Sequence, residues 1–308
     1  MPDYESEIKT ADKEYTNEAI SEESLPVTSA WADVRRRFLK NRIAVAGLIV
    51  LTIIVISTLG APLLTQYDPV LDMTLKDQLL PAGSPGHILG TDDYGRDIFS
   101  RLLYGGRISI LTGLIVSLAS ALVGIAVGCI SGYFGGWIDS LLMRLVDIVL
   151  AFPFLILAIT LMAVLGPSLR NTMLALALVS WPGYARVVRG LVLSIKEKEY
   201  VEAARAAGLT NGRIIFAHVL PNAIAPIIVQ ATLGVGSAIL SAASLNFLGL
   251  GVDVSVPEWG MMLNQGREYL QTASHLTLFP GLAISLTVLA VNWIGDGLRD
   301  ALDPRLRQ

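Results

Sequence analysis

Charged residues are scarce in this chain of 308 residues. They make up 16% of it, whereas a soluble domain typically carries about 25%. Hydrophobic residues account for 53%, and the mean hydropathy is +0.59. A soluble protein of this length would need a more polar surface, so the shortage of charge argues against an ordinary soluble domain and indicates a membrane protein.

Residues that carry catalytic or metal chemistry are also few. Cys129 is the only cysteine, so an intrachain disulfide or redox pair is excluded, and we interpret it as a small buried apolar residue. The three histidines are dispersed, and the sequence lacks the patterns GxxxxGK[ST], HExxH, CxxC and GxSxG. We therefore predict that the chain is not an enzyme, holds no metal or cofactor, and has no ATPase site of its own.

What the sequence does contain is long runs without charge. A helix needs roughly 20 mostly apolar residues to cross the hydrocarbon of a bilayer. One run, 171–185, is short, but Arg186 and Arg189 can extend toward the interface and let a tilted helix cross. We predict six membrane-spanning helices, the fifth at about 223–247. The charge-free runs are 43–67, 108–138, 148–169, 171–185, 214–252 and 269–295.

The distribution of positive charge predicts the orientation. With six spans and the N-terminus in the cytoplasm, 17 of the 23 lysines and arginines lie on the cytoplasmic side, as the positive-inside rule expects. Both termini are therefore predicted to be cytoplasmic. Residues 1–28 carry eight acids and two lysines, which predicts a disordered acidic cytoplasmic tail. Residues 29–42 predict a helix in the membrane interface or, equally, an extension of the first span.

Two polar segments interrupt the predicted transmembrane domain 43–308. An extracytoplasmic loop is predicted over 65–107, where glycines and prolines are frequent. A cytoplasmic loop is predicted over 196–222. Within it, Glu199 to Ala207 favours a helix that Gly208 ends, Asn211-Gly212 favours a turn, and a second short helix is expected from Ile214 until Pro221.

This cytoplasmic segment resembles the EAA loop of importer permeases in the ATP-binding-cassette (ABC) superfamily. It has Glu202-Ala203-Ala204, three residues, Gly208, eleven residues, then Leu220-Pro221. His218 stands where the common pattern has isoleucine, a departure familiar from the peptide and nickel branch. In that family the loop docks on the ATPase subunit. The resemblance implies a coupling role for a set of six residues: Glu202, Ala203, Ala204, Gly208, Leu220 and Pro221.

Three other stretches are similar to permeases for dipeptides, oligopeptides, nickel and glutathione, over about 35–308. They are His87 to Leu102, Asn246 to Gly251 with Trp259-Gly260, and Gly297 to Pro304. The resemblance, to the second or C-type permease subunit, implies an all-α membrane protein with the type I ABC importer permease fold. It also implies a location in the cell membrane and half of a translocation pathway for di- or oligopeptides.

The resemblance also implies partners. These are a second permease subunit, two ABC ATPase subunits that bind ATP and magnesium, an extracytoplasmic substrate-binding protein and the lipid bilayer, with no role for nucleic acid. Nickel, glutathione or oligosaccharide are alternative cargoes. From a different class, an ion-coupled secondary transporter would need an essential acid in mid-membrane, and a membrane-embedded enzyme would need a catalytic constellation in the spans; the sequence offers neither.

Charged residues cluster at two further places. In the extracytoplasmic loop a group of six residues is expected to form a salt-bridged structural corner or, alternatively, to contact the binding protein: Gly90, Thr91, Asp92, Gly95, Arg96 and Asp97. At the cytoplasmic start of the third span, Arg144 and Asp147 are three residues apart. They are expected to pair on one helical face.

Overall fold

The computed structural model describes residues 30–303, and its regular structure there is helical apart from two isolated β-bridges. The predicted acidic tail and residues 304–308 lie outside the described part. The α-helices are α1 (Ala30–Lys40), α2 (Arg42–Leu59), α3 (Ala61–Leu64), α4 (Ile98–Phe134), α5 (Gly136–Ala151), α6 (Phe154–Leu165), α7 (Leu169–Lys196), α8 (Glu199–Ala206), α9 (Asn211–Ile214), α10 (Leu220–Phe247), α11 (Trp259–Gly266) and α12 (His275–Leu302).

Within residues 30–303, four helical stretches are long and apolar enough to cross a membrane: α2, α4, the unbroken stretch 211–247 and α12. Helices α5 and α6 meet this criterion only together, as a pair bent by 90°. Helix α7 has 28 residues, but its arginines make it too polar to be counted. The structure thus has four or five crossing segments by length and composition. The expectation of six spans, which needs α7, stays a prediction.

The charge-free run 148–169 does not form one helix, so the straight span expected there is wrong. Helix α5 ends at Ala151, and α6 begins at Phe154. Pro153 causes the break, since it lacks a backbone N–H and forces the preceding residue out of the helical region. Phe152 accordingly has extended dihedrals, with φ −89° and ψ 140°.

Helix α4 begins well before the charge-free run at 108, so the predicted loop 65–107 is too long at its end. Asp97 starts the helix because its side chain accepts a hydrogen bond from the backbone N–H of Ser100 at 2.7 Å. Two arginines that were assigned to the loop are then helical. Arg107 Nε donates to the backbone oxygen of Thr58 at 2.6 Å, which satisfies its charge at the end of α2.

The interface between α4 and α7 is built on glycines four residues apart, at 124, 128 and 132. A Cβ added to Gly124 would lie 2.3 Å from Tyr184 Cβ, and one added to Gly128 would lie 2.7 Å from the backbone oxygen of Ala185. Small residues at this spacing let two helix backbones approach closely, as is common in membrane proteins. This contact positions α7, which leads directly into the segment that contains α8.

Asn41 separates α1 from α2. Its Oδ1 accepts hydrogen bonds from the N–H groups of Ile43 and Ala44 at 3.1 and 3.2 Å, and its Nδ2 lies 3.3 Å from Asp300 Oδ2. A side-chain cap of this kind starts a new helix. Of the two interpretations of 29–42, a continuous extension of the first span is therefore wrong. The interfacial position of α1 stays a prediction.

Candidate functional site

The predicted coupling segment begins with α8, and Gly208 ends this helix as expected. Gly208 has a φ of +78°, which a glycine adopts without steric cost. Its N–H donates to Arg205 O at 3.0 Å, and the N–H of Leu209 donates to Ala204 O at 3.2 Å. These two bonds are a Schellman motif, which satisfies the last carbonyls of the helix. A Cβ at Gly208 would meet nothing within 4 Å, so this corner faces open space.

Helix α8 has one packed face and one exposed face. Val201 is fully buried and Ala204 is 8% exposed, in an apolar cluster that includes Val192 and Ile214. Glu202 and Ala203 are exposed. Of the predicted coupling residues, Ala204 therefore holds the helix against the body of the protein. The other two of the triplet are free to meet a partner.

The second half of the segment differs from the prediction. Asn211-Gly212 does not form a turn, and Pro221 does not end a helix, because the chain is helical without a break from Asn211 to Phe247. A π turn at Ile215–Val219 precedes the proline, and the N–H of Leu220 donates to Ile215 O. This wider turn lets the helix pass Pro221, which has no N–H to donate. The predicted loop 196–222 is therefore too long. Only about residues 197–210, which include α8, lie between α7 and α9.

Side chains from α4 and α7 hold the segment in place. Tyr133 Oη donates to Asn211 Oδ1 at 3.0 Å. Lys196 Nζ donates to the backbone oxygen of Gly132 at 3.0 Å. The C-terminal end of α4 is therefore hydrogen-bonded to Lys196, just before α8, and to Asn211, just after it.

Two ion pairs join α5 to α7, and neither is the predicted one. Arg189 Nε donates to Asp139 Oδ1, and Arg189 Nη2 donates to Asp139 Oδ2, each at 2.6 Å, so the ion pair is bidentate. Asp147 pairs with Arg186 at 2.6 Å, where both side chains are more than half exposed. The pairing of Asp147 with Arg144 is therefore wrong. The reason is that α5 lies beside α7, whose arginines approach more closely.

In the turn that precedes α4, the six predicted residues do lie together. Arg96 Nε lies 2.7 Å from Asp92 Oδ2, and Asp92 Oδ1 accepts from the N–H groups of Tyr94 and Arg96 at 2.9 Å. Asp92 is 4% exposed and Arg96 is 1% exposed. Burial of the next acid, Asp93, together with the negative charge of Asp92, raises the pKa of the Asp93 carboxyl.

The other residues of this group of six are also hydrogen-bonded or tightly packed. Thr91 Oγ1 accepts from the N–H of Leu80 at 2.9 Å, and Asp97 accepts from His87 Nδ1 at 2.9 Å. Gly90 and Gly95 have φ of +82° and +74°, and a Cβ at either would lie 2.3 Å or less from a backbone oxygen. This packing favours the structural interpretation over contact with a binding protein. That choice stays a prediction.

Arg101 is a buried hub that sequence reasoning missed. Its Nη1 donates to Pro69 O at 3.0 Å and to Ser255 O at 3.4 Å, and Nη2 donates to Gln265 Oε1 at 3.1 Å. Its Nε lies 3.4 Å from Asp92 Oδ2. The side chain is 1% exposed. Arg101 therefore joins the loop at Pro69, the turn that contains Asp92, and the loop before α11.

Glu258 is the second buried charge-bearing residue that was missed. It caps α11, accepting from the N–H of Met261 at 2.9 Å and from Ser109 Oγ at 2.7 Å. Burial raises the pKa of its carboxyl, which these hydrogen bonds partly oppose. Next to it Trp259 Nε1 donates to Leu102 O at 2.9 Å. Within residues 30–303 no cluster of three or more His, Cys, Asp or Glu side chains could hold a metal ion.

Comparison with known proteins agrees with this architecture. Among solved structures, the chain resembles the MetNI methionine ABC transporter in an inward-facing conformation. The TM-score is 0.52 at 22% identity, over 66% of this chain and 96% of the matched chain. At this level of identity the likeness concerns the fold alone.

Curated relatives match over nearly the whole chain. The dipeptide transport system permease protein DppC of Alkalihalophilus pseudofirmus is 47% identical, over 94% of this chain and 95% of the relative. DppC of Haemophilus influenzae is 46% identical, over 88% and 93%. The glutathione transport system permease protein GsiD of Pectobacterium atrosepticum is 44% identical, over 91% and 93%.

Two family models also match. Residues 29–82 match the N-terminal transmembrane domain of oligopeptide transport permease C. Residues 124–308 match the inner membrane component of binding-protein-dependent transport systems. The second model covers more than half of the chain, including the coupling segment and the ion-paired helices. The chain therefore belongs to the family of multi-pass inner-membrane components of binding-protein-dependent transport systems.

Proposed function

We propose that this chain is the C-type permease subunit of an ABC importer for di- or oligopeptides. It forms half of the translocation pathway, beside a second permease subunit. Two ABC ATPase subunits supply ATP hydrolysis and hold the magnesium, and an extracytoplasmic binding protein delivers the peptide. The chain itself needs no cofactor.

The observation that carries this proposal is the exposed face of α8. Glu202, Ala203 and the open corner at Gly208 project from a helix whose other face is packed. Small side chains and a corner without neighbours suit docking into a cleft on another protein. The peptide cargo is supported by the names of the relatives, two of which are dipeptide permeases.

In this proposal the membrane is crossed six times, with both termini in the cytoplasm. The bent pair of α5 and α6 contributes one crossing, and α7 contributes another. Two of the three arginines of α7, Arg186 and Arg189, lie in its cytoplasmic half, where Asp147 and Asp139 pair with them. Paired charges near the interface cost far less than charges in mid-membrane.

Coupling follows from the connections of α8. When the ATPase subunits close on ATP, they move α8, which packs through Val201 and Ala204 against the apolar cluster shared with α7 and α9. The hydrogen bond of Tyr133 to Asn211 then carries the displacement of α9 to α4. Such a mechanism requires two states of the permease that ATP and peptide favour differently. The glycine interface between α4 and α7 lets the two helices move as a unit.

The complex purified from native membranes in mild detergent tests the proposal. We expect it to contain two ABC ATPase subunits and a related permease, and its ATP hydrolysis to rise when the binding protein and a dipeptide are added. Stimulation by nickel chelates, glutathione or oligosaccharide instead would reassign the cargo. A chain that purifies alone and drives uptake from an ion gradient would contradict the importer and indicate a secondary transporter.

The docking corner is tested by Gly208→Asp with Gly208→Asn as its matched control. Both side chains tolerate a positive φ and have the same size, so they differ in charge. We expect the Asp variant to insert normally and to lose about tenfold or more of ATP-driven uptake, a typical size for broken coupling. The Asn variant measures the effect of bulk alone. Normal uptake by the Asp variant would rule out docking at this corner.

A further inference from the structure

A cavity of about 460 Å³ lies between α4, α7 and α10, and Leu150 and Phe154 of the bent pair close one side. All of its lining residues are uncharged. Its polar walls come from serine hydroxyls, one tyrosine and one glutamine. The exposed positions of α4, by contrast, are aliphatic, such as Leu111, Leu114 and Leu118. The cavity is therefore chemically distinct from the surface that faces lipid.

Several polar atoms in this cavity have unused hydrogen-bonding capacity. The amide of Gln230 and the hydroxyl of Ser180 make no hydrogen bond to any residue in the described range 30–303. Ser241 Oγ donates to Ser237 O at 2.8 Å, which leaves its oxygen free to accept. An amide left unpaired in an apolar span is costly unless water or a ligand meets it. The walls thus offer donors and acceptors without offering charge.

The cavity continues toward the cytoplasmic side. Gln230 and Leu233 also line a second groove, of about 450 Å³, next to Pro226 and the end of α12. That groove contains Arg299 and Asp303, so charged walls begin only there. Gln230 stands at the border between the neutral cavity and the charged groove. Two helices, α7 and α10, line both.

We propose that this neutral cavity is the section of the pathway in which a peptide is held by its backbone amides. Gln230 and the hydroxyls of Ser180 and Ser241 bond groups that every peptide has. Because the cavity walls carry no charge, they do not distinguish peptides by the charge of their side chains. This inference rests on the proposed function and adds to it that the membrane section does not select between acidic and basic peptides.

Ser241→Asp, with Ser241→Asn as the matched control of equal size, tests this in the complete reconstituted complex. Uptake is measured for Ala-Ala, Asp-Ala and Lys-Ala, each relative to wild type, so that preferences of the binding protein cancel. We expect the Asn variant to change all three alike. The Asp variant should transport Asp-Ala about tenfold less well than Lys-Ala, which corresponds to about 1.4 kcal/mol.

The outcomes separate the two proposals. If the Asp variant slows all three peptides equally, or none, the cavity is not where peptides pass, although peptide import stands. If the wild-type complex transports none of the three, the proposed function itself fails.

A second measurement excludes misfolding as the explanation. Ser241→Cys in a Cys129→Ala background is assembled first and then labelled with an anionic or a cationic thiol reagent. We expect the two labels to shift the ratio of Asp-Ala to Lys-Ala uptake in opposite directions. A thiol that stays unlabelled during turnover would overturn the placement of Ser241 in the pathway.

Discussion

One guanidinium group joins three separate stretches of the chain. Arg101 bonds backbone oxygens of Pro69 and Ser255 and the side chain of Gln265. A lysine would keep the charge but not the planar fork that reaches all three. We expect Arg101→Lys to lose two such bonds and about 3 kcal/mol of stability. The readout is a lower melting temperature of the purified complex.

The control for this prediction is Arg267→Lys. Arg267 is exposed and lies over the ring of Phe247 at 5.9 Å. Surface substitutions of this kind change stability by about 0.5 kcal/mol or less. Equal melting temperatures for the two variants would mean that the hub at Arg101 does not hold the loops together.

Whether a contact between two residues could be predicted depended on how far apart the residues are along the chain. Asp92 and Arg96 are four residues apart between glycines, so their proximity could be inferred from the sequence. Arg101 meets Ser255 and Gln265 across 154 and 164 residues. Nothing in the local pattern indicates such a contact, because it depends on how α4 and α11 are placed.

At the scale of helices, the glycine interface makes a sharp prediction. A methyl group at Gly128 would lie 2.7 Å from Ala185 O and from Val188 Cβ, so α4 and α7 would have to separate. We expect Gly128→Ala to destabilise the complex by about 1–3 kcal/mol, the usual cost of overpacking. Melting temperature in detergent and the yield of assembled complex are the measurements.

Gly190→Ala is the matched control, since it makes the same change in a neighbouring helix. A Cβ at Gly190 meets nothing within 4 Å. Alanine is the better helix former, so this variant should be neutral or more stable by about 0.5–1 kcal/mol. A stable Gly128→Ala complex would show that close approach of the helices is not required.

Helix boundaries show why apolar runs alone predict elements imperfectly. Within the charge-free run 214–252, the helix predicted at about 223–247 ends at Phe247 as expected, but it begins earlier, at Asn211. The prolines behaved differently from one another. Pro153 breaks a span, whereas a π turn carries the helix past Pro221. The sequence prediction stopped a helix at Pro221 and ran a span through Pro153, and the structure shows the reverse, because the surrounding packing decides which proline breaks a helix.

Across the whole molecule, the coupling segment and the neutral cavity share the same helices. Helix α7 carries Ser180 in the cavity wall and Arg189 in the pair with Asp139. It then leads within a few residues into α8. A displacement of α8 must therefore act on α7, and through the ion pair on α5, which ends beside the cavity at Leu150.

This arrangement predicts that the pair of Asp139 and Arg189 transmits motion. We expect Asp139→Arg to reduce peptide uptake about tenfold while ATP hydrolysis continues, because two like charges push α5 from α7. Exchanging both charges, Asp139→Arg with Arg189→Asp, should restore most of the uptake. Arg186→Gln is the control, since its pair with Asp147 is more than half exposed and such pairs contribute about 1 kcal/mol or less. If the double exchange transports no better than the single variant, the pair serves stability only and α5 receives its motion by another route.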